Sequence, residues 1–188
     1  MVHMKEIVML KKALKILTYS KAFAFLIPET GTNIVMSKKN PKNKEDIAGI
    51  PGRIRKFKDK AIVCEDPKFG ASSHLANLIL TLQKYDPEKR SAINIKYDKK
   101  IIKIAKDINL TISSYDRREE PKKIKEKEGS TISWGAKAAI DKIGQIPDLI
   151  YHKGDWGKEP MINIVGTDPI NLAKLTVKIA KIYVGEKI

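Results

Sequence analysis

Lys68-Phe69-Gly70-Ala71-Ser72-Ser73-His74-Leu75-Ala76-Asn77 is the stretch from which the fold is read. Upstream, Ala61-Ile-Val-Cys-Glu65 has the β-branched apolar character of a buried strand. Downstream, Leu75, Leu78, Ile79 and Leu82 recur with a helical period up to Tyr85. The stretch is therefore a strand-to-helix junction. A helix N-terminus carries unpaired N–H groups and partial positive charge, which attract phosphate, and Gly70 and Ala71 let a ligand approach the backbone. Ser72 or Ser73 supplies a cap. The same dipole disfavours an imidazolium in the first turn, so His74 is expected neutral. A plain N-cap beside a surface histidine is the competing reading.

On the C-terminal side strands and helices alternate. Ser91–Tyr97 reads as a strand, Asp98 caps a helix running to Ile108, and Leu110–Tyr115 returns to a strand. Lys122–Lys127 is a charge run that needs only solvent. Ser130–Ile143 reads as a helix opened by hydroxyls, Pro147–Tyr151 and Met161–Val165 as strands, and Asp168-Pro169 opens a closing helix over Ile170–Val184. On the N-terminal side, Lys5–Tyr19 is an amphipathic, lysine-rich helix, and Ile34–Met36 is a strand after the turn Pro28–Asn33. This order gives an α/β fold, a central sheet covered by helices on both faces, with ligands at the strand ends. Residues 1–12 are read as an N-terminal extension or helix, with Met1–Met4 an artificial start, and residues 13–188 as one domain.

The 188 residues carry 37 basic and 22 acidic side chains, a net charge of +15, with 42% hydrophobic residues. That excludes a disordered chain and favours anionic partners, without choosing among nucleic acid, membrane surface and phosphorylated metabolites. No apolar run reaches the length of a membrane span and no secretory signal opens the chain, so a cytoplasmic location is expected. Cys64, the single cysteine, excludes an internal disulfide framework and is assigned to the core. Aromatic residues at 6% argue against a single-strand stacking platform, and the spread of lysines argues against a specific nucleic-acid arm.

Three glycine-bearing loops remain as candidates. Gly49-Ile-Pro-Gly-Arg53 presents Arg53 as a planar fork for phosphate, against the alternative of a solvated basic run. Gly70–His74 is the junction itself. His152-Lys-Gly-Asp-Trp-Gly-Lys-Glu-Pro160 brings Lys153 and Lys158 together with Asp155 and Glu159, a second anion site or a magnesium site, against a bare hairpin. Asn33 stands at a pocket rim or is merely a turn former.

Taken together, Pro28-Glu-Thr-Gly-Thr-Asn33, Gly49-Ile-Pro-Gly-Arg-Ile54, Gly70-Ala-Ser-Ser-His74, Ile93-Asn-Ile-Lys-Tyr97, Asp116-Arg117, Trp134-Gly135 and Gly154-Asp-Trp-Gly-Lys-Glu-Pro160 resemble the archaeal thiamine-phosphate synthase domain of the ThiN type. The resemblance runs in order from about Ala13 to the C-terminus. It implies a three-layer α/β/α fold with a central mixed sheet, like that of class II aldolases and epimerases. Those aldolases bind zinc through several histidines, and the three histidines here disfavour that chemistry. It further implies a transferase joining hydroxymethylpyrimidine diphosphate to hydroxyethylthiazole phosphate, normally with Mg2+, and a hydroxymethylpyrimidine kinase domain fused N-terminally in a longer protein. By the same resemblance Arg53 and His74 are the functional pair. Gly70, Ser72, Ser73, Asn33, Lys153 and Lys158 are candidate substrate contacts, and Asp155 and Glu159 candidate metal ligands.

The rival reading is a non-catalytic sensor of thiamine phosphates. Its members lack the arginine and histidine, and the presence of Arg53 and His74 favours the enzyme. No membrane partner is implied, and room is left for a homo-oligomer.

Overall fold

The computed structural model describes residues 4–126 and 129–186. Met1 to His3 of the expected artificial start and Lys127 of the charge run lie outside the described residues. A seven-stranded mixed sheet forms the centre. In spatial order it runs β5 (Lys68–Phe69), β2 (Ile47–Gly49), β1 (Ile34–Ser37), β6 (Ser91–Lys96), β9 (Met161–Gly166), β8 (Leu149–His152) and β7 (Ile112–Ser114). All neighbours pair antiparallel except β7 and β8.

Alternation along each strand sorts side chains between two cores. Ile34 and Met36, Ile93 and Ile95, Ile162 and Ile164, and Leu149 pack on one face. There they meet α1 (Met4–Tyr19), α2 (Lys21–Ala24), α4 (Lys99–Asp107) and α7 (Pro169–Val184). Val35, Ala92, Ile150 and Val165 face the other way, onto α3 (Ser73–Leu82) and α6 (Ser130–Ile143). This is a three-layer α/β/α arrangement. The short exposed helix α5 (Lys122–Lys125) precedes α6.

Local chemistry sets the helix ends. Asp98 accepts from the Lys100 N–H and Asp168 from the Ile170 and Asn171 N–H groups, with Pro169 at the first turn. The N-cap position of α6 is Gly129 in a left-handed conformation, so the hydroxyls of Ser130 and Thr131 fall inside the helix and do not cap it.

The segment Ala61–Glu65 departs from expectation. It belongs to β4 (Lys60–Val63), which pairs only with β3 (Ile54–Phe57) in a separate hairpin. Of that hairpin, Ile54 and Ala61 reach the α1 core, while Phe57 and Ile62 are exposed. Cys64 follows it and is exposed, not core. An apolar run in a two-stranded ribbon has only one face to bury. Among the described residues no helix is long and apolar enough to cross a membrane.

Away from the loops, one buried ion pair fastens α1 to the sheet. Arg90 Nη2 donates to Glu6 Oε1 at 3.0 Å and to the Ser37 carbonyl at 2.6 Å, with both side chains buried. Removing one partner of a buried pair strands the other charge. Glu6→Ala is therefore expected to lower stability by about 3 kcal/mol in urea unfolding. The double change Glu6→Leu with Arg90→Met should restore most of it, and equal losses in single and double variants would show that the pair is not what holds α1.

Candidate functional site

The ends of β2, β6, β7 and β8 and the beginnings of β1 and β9 lie on one side of the sheet, as their pairing directions require. The N-terminus of α3 reaches the same end. A Cβ on Gly49 would stand 3.0 Å from Ser72 Cβ and 3.2 Å from Asn33 Oδ1, so glycine admits the helix start against β2. Ser72 holds the N-cap position with extended backbone, but its hydroxyl makes no capping bond. Unpaired N–H groups at a helix start of this kind suit an anion. Ser73 is exposed beside Ser72. Gly70 adopts φ +75°, and the Glu45 carboxylate crosses where its side chain would be, so the backbone there is approached by Glu45.

Arg53 sits in the left-handed region at φ +66°, a conformation that costs a non-glycine residue about 1–2 kcal/mol. Two contacts hold its loop. Asn33, buried, donates from Nδ2 to the Ile50 carbonyl at 2.9 Å and accepts the Ile50 N–H on Oδ1 at 2.8 Å. Asn33 is thus engaged in shaping the loop. Arg53 Nη1 donates to the Thr30 carbonyl at 2.8 Å.

Two histidines meet here. His74, on the first turn of α3, is exposed on one side, while its pKa falls from 6.5 to about 4 through burial and the nearby guanidiniums of Arg53 and Arg117. Burial of the ring acts first and the two cations add to it, so the neutral form is favoured. His152 ends β8 and is buried; burial, Arg117 and His74 lower its pKa to about 4 as well. The Gly154 N–H donates to His152 Nδ1 at 3.1 Å, which leaves the proton of the neutral ring on Nε2.

Tyr115 stands beside this pair, its ring centroid 5.2 Å from that of His152 and edge-on to Trp134 at 5.8 Å. A Cβ on Gly135 would lie 2.4 Å from the Tyr115 ring, so Gly135 makes the slot for it. Burial pushes the Tyr115 hydroxyl well up, Glu120 adds to that and Arg117 opposes it, so it stays a phenol at neutral pH. Arg117 lies 3.8 Å from the wholly buried Glu120 carboxylate, and neither Arg117 Nε nor either Glu120 oxygen makes a hydrogen bond.

Lys153 and Asp155 line a cleft of about 860 Å³ together with Tyr115, Asp116, Arg118 and Lys142. The cleft adjoins the histidine cluster through Tyr115, whereas Arg53 and His74 are not among its walls. Lys158 closes the turn at its mouth, its N–H donating to the Asp155 carbonyl at 2.8 Å. The two expected metal carboxylates do not converge. Asp155 pairs with Lys125 at 3.2 Å and accepts the Trp156 N–H. Glu159, on a separate depression with Ile27 and Pro28, accepts from the Glu29 and Thr30 N–H groups and the Thr30 hydroxyl. Among the described residues no group of three or more His, Cys, Asp or Glu could hold a metal ion. Asp155 and Glu159 thus lie on separate depressions, each engaged by its own neighbours.

His152, Tyr115, Arg117 and Glu120 were not singled out as site residues by sequence reasoning. The available signal was positional: Tyr115 and His152 end two neighbouring parallel strands, where ligands gather.

A family model described as thiamine-phosphate synthase ThiN matches residues 9–178. The chain is 45% identical over 178 residues to the thiamine-phosphate synthase ThiN of Methanothermobacter thermautotrophicus, covering 95% of this chain and 94% of that protein. It is 44% identical over 179 residues to the bifunctional thiamine biosynthesis protein ThiDN of Methanocaldococcus jannaschii, covering 92% of this chain and 42% of that longer one. The crystal structure of the C-terminal domain of a phosphomethylpyrimidine kinase superposes with a TM-score of 0.83 at 42% identity, over 92% of this chain and 95% of that one. An L-fuculose 1-phosphate aldolase, covering 95% of this chain and 89% of its own, reaches only 0.47 at 13% identity, too loose a likeness to bear on the chemistry. By its sequence and its fold alike, the chain belongs to the thiamine-phosphate synthase ThiN family.

Proposed function

We propose that the chain joins hydroxymethylpyrimidine diphosphate to hydroxyethylthiazole phosphate, giving thiamine phosphate and diphosphate. One observation carries this beyond family membership. Two guanidiniums, Arg53 and Arg117, and the uncapped start of α3 surround two histidines that stay neutral, at one end of the sheet.

In the reaction the bond from the pyrimidine methylene to diphosphate oxygen breaks, with its electron pair leaving on the diphosphate. The thiazole nitrogen then gives its lone pair to the methylene carbon. Negative charge grows on the leaving group, so fixed cations and N–H donors lower the barrier most. Arg53, Ser72 and the first amides of α3 take that charge. Neutral His74 hydrogen-bonds the leaving phosphate or the aminopyrimidine. Arg118, Lys142 and Lys153 make the neighbouring cleft suited to the thiazole's phosphate. Magnesium, in this proposal, arrives held by diphosphate oxygens, where it would neutralise charge. A kinase domain of the kind named in the relatives would supply the diphosphate, in the cytoplasm.

The test is formation of thiamine phosphate, followed by mass, from both substrates with magnesium. Thermal stabilisation by thiamine phosphate without turnover would instead indicate a sensor. Arg53→Ala should lower kcat/KM by about 10²–10³-fold, and His74→Ala by about 10²-fold, with the fold intact by circular dichroism. Unchanged rates would remove that residue from the mechanism. Because Arg53 occupies a left-handed conformation, Arg53→Gly should be more stable than Arg53→Ala by about 1 kcal/mol while equally inactive.

The pH profile carries a sign. Neutral His74 is the working form and its pKa is lowered to about 4, as is that of the neighbouring His152, so the rate should hold its plateau as pH falls through 6.5 and decline only as pH approaches 4. An acid limb in kcat/KM centred near 6.5 would show that burial and the neighbouring cations do not hold His74 neutral.

A further inference from the structure

Three asparagines cross the middle of the sheet in one row, on the face covered by α3 and α6. The Asn94 N–H donates to the Asn33 carbonyl at 3.2 Å, and Asn163 of β9 is the pairing partner of Asn94. Two of the three amides are engaged within the protein. Asn33 binds Ile50, as above, and Asn94 accepts the Asn33 N–H on Oδ1 at 2.7 Å and donates to the Gly31 carbonyl at 3.0 Å. The third is not. Asn163 is 0% exposed and makes no hydrogen bond through either Oδ1 or Nδ2.

A buried amide without partners is costly, and an apolar residue of the same shape would serve a sheet that only needed filling. Along β9, Ile162 and Ile164 pack against α1 and α7, so Asn163 points to the opposite face. On the neighbouring strand its pairing partner is Ile150, and two residues beyond, on that face, stands His152. The amide therefore lies on the same face of the sheet as His152, one strand away.

The donor and acceptor, side by side, select a ligand chemistry. Phosphate groups only accept hydrogen bonds from these residues, and the guanidiniums supply donors for them. The thiazole ring offers no N–H, and its nitrogen must keep its lone pair for attack. An aminopyrimidine presents an exocyclic amino donor next to a ring-nitrogen acceptor, the pattern that a carboxamide matches in reading adenine. Resting on the synthase reading above, we infer that Asn163 is a specificity residue that takes the amino and ring-nitrogen edge of the pyrimidine substrate.

The test is calorimetric binding, without thiazole phosphate, of the pyrimidine diphosphate and of its analogue lacking the amino group. Wild-type protein should favour the amino compound by about 10–100-fold in Kd. Asn163→Leu should bind both alike, raise KM for the pyrimidine by a similar factor, leave KM for the thiazole phosphate unchanged, and unfold at an equal or higher temperature. Equal Kd values of the wild type for the two compounds would overturn the inference without any variant. So would an Asn163→Leu protein that keeps the preference. A wild type that forms no thiamine phosphate fails the synthase reading itself, whereas an active wild type without the preference fails only the role of Asn163.

Discussion

The functional end of the molecule depends on the pairing register of β1, β6 and β9. On one face Ile34, Ile93, Ile95, Ile162 and Ile164 fill the core beneath α1 and α7. On the other, the residues run from Val35, Ala92 and Val165 to Asn33, Asn94 and Asn163 as the strands approach the loops. A slip of one residue would drive three amides into the isoleucine core. Hydrophobic burial on one side therefore fixes a polar floor on the other, under the start of α3.

The same end concentrates positive charge and keeps its titratable rings uncharged, and the two are linked. Arg53 and Arg117 attract an anion and, by repulsion, disfavour imidazolium at His74, while Arg117 acts likewise on His152. An environment of fixed cations is thus also one that favours neutral hydrogen-bonding rings at ordinary pH. Gly135 contributes by shape alone, admitting the Tyr115 ring against α6 so that Tyr115 and His152 share one wall.

Much of the fold was legible because its signals are local. The Asp98 and Asp168 caps, the helical period of α3 and α7, and the short apolar strands β1, β6, β8 and β9 need no tertiary context. Ala61–Glu65 misled because an apolar, β-branched run looks the same in a central strand and in a two-stranded hairpin. Cys64 followed it out of the core. Within the site, the loops could be found by their glycines, but Arg117, Glu120 and His152 owe their proximity to a pairing of β7 with β8 that no local pattern specifies. Asn163 did leave a mark: a carboxamide in the middle of Met161-Ile-Asn-Ile-Val165 breaks an otherwise apolar strand.

The carboxylate of Glu159 organises the backbone of a distant turn. It gathers three donors from Glu29 and Thr30, fixing that turn against the loop before β9. The turn's Thr30 carbonyl in turn receives Arg53 Nη1, and Asn33, a few residues on, clasps Ile50 at the base of the Arg53 loop. Arg53 is thereby held in a backbone conformation it would not adopt alone. Placing a guanidinium toward an anion requires that its loop not relax, and the restraint passes from Thr30 and Asn33 back to Glu159, far along the chain. The two loops that sequence alone treats as separate anion sites are in this way one mechanical unit, in which the 153–160 loop sets the geometry that Arg53 presents.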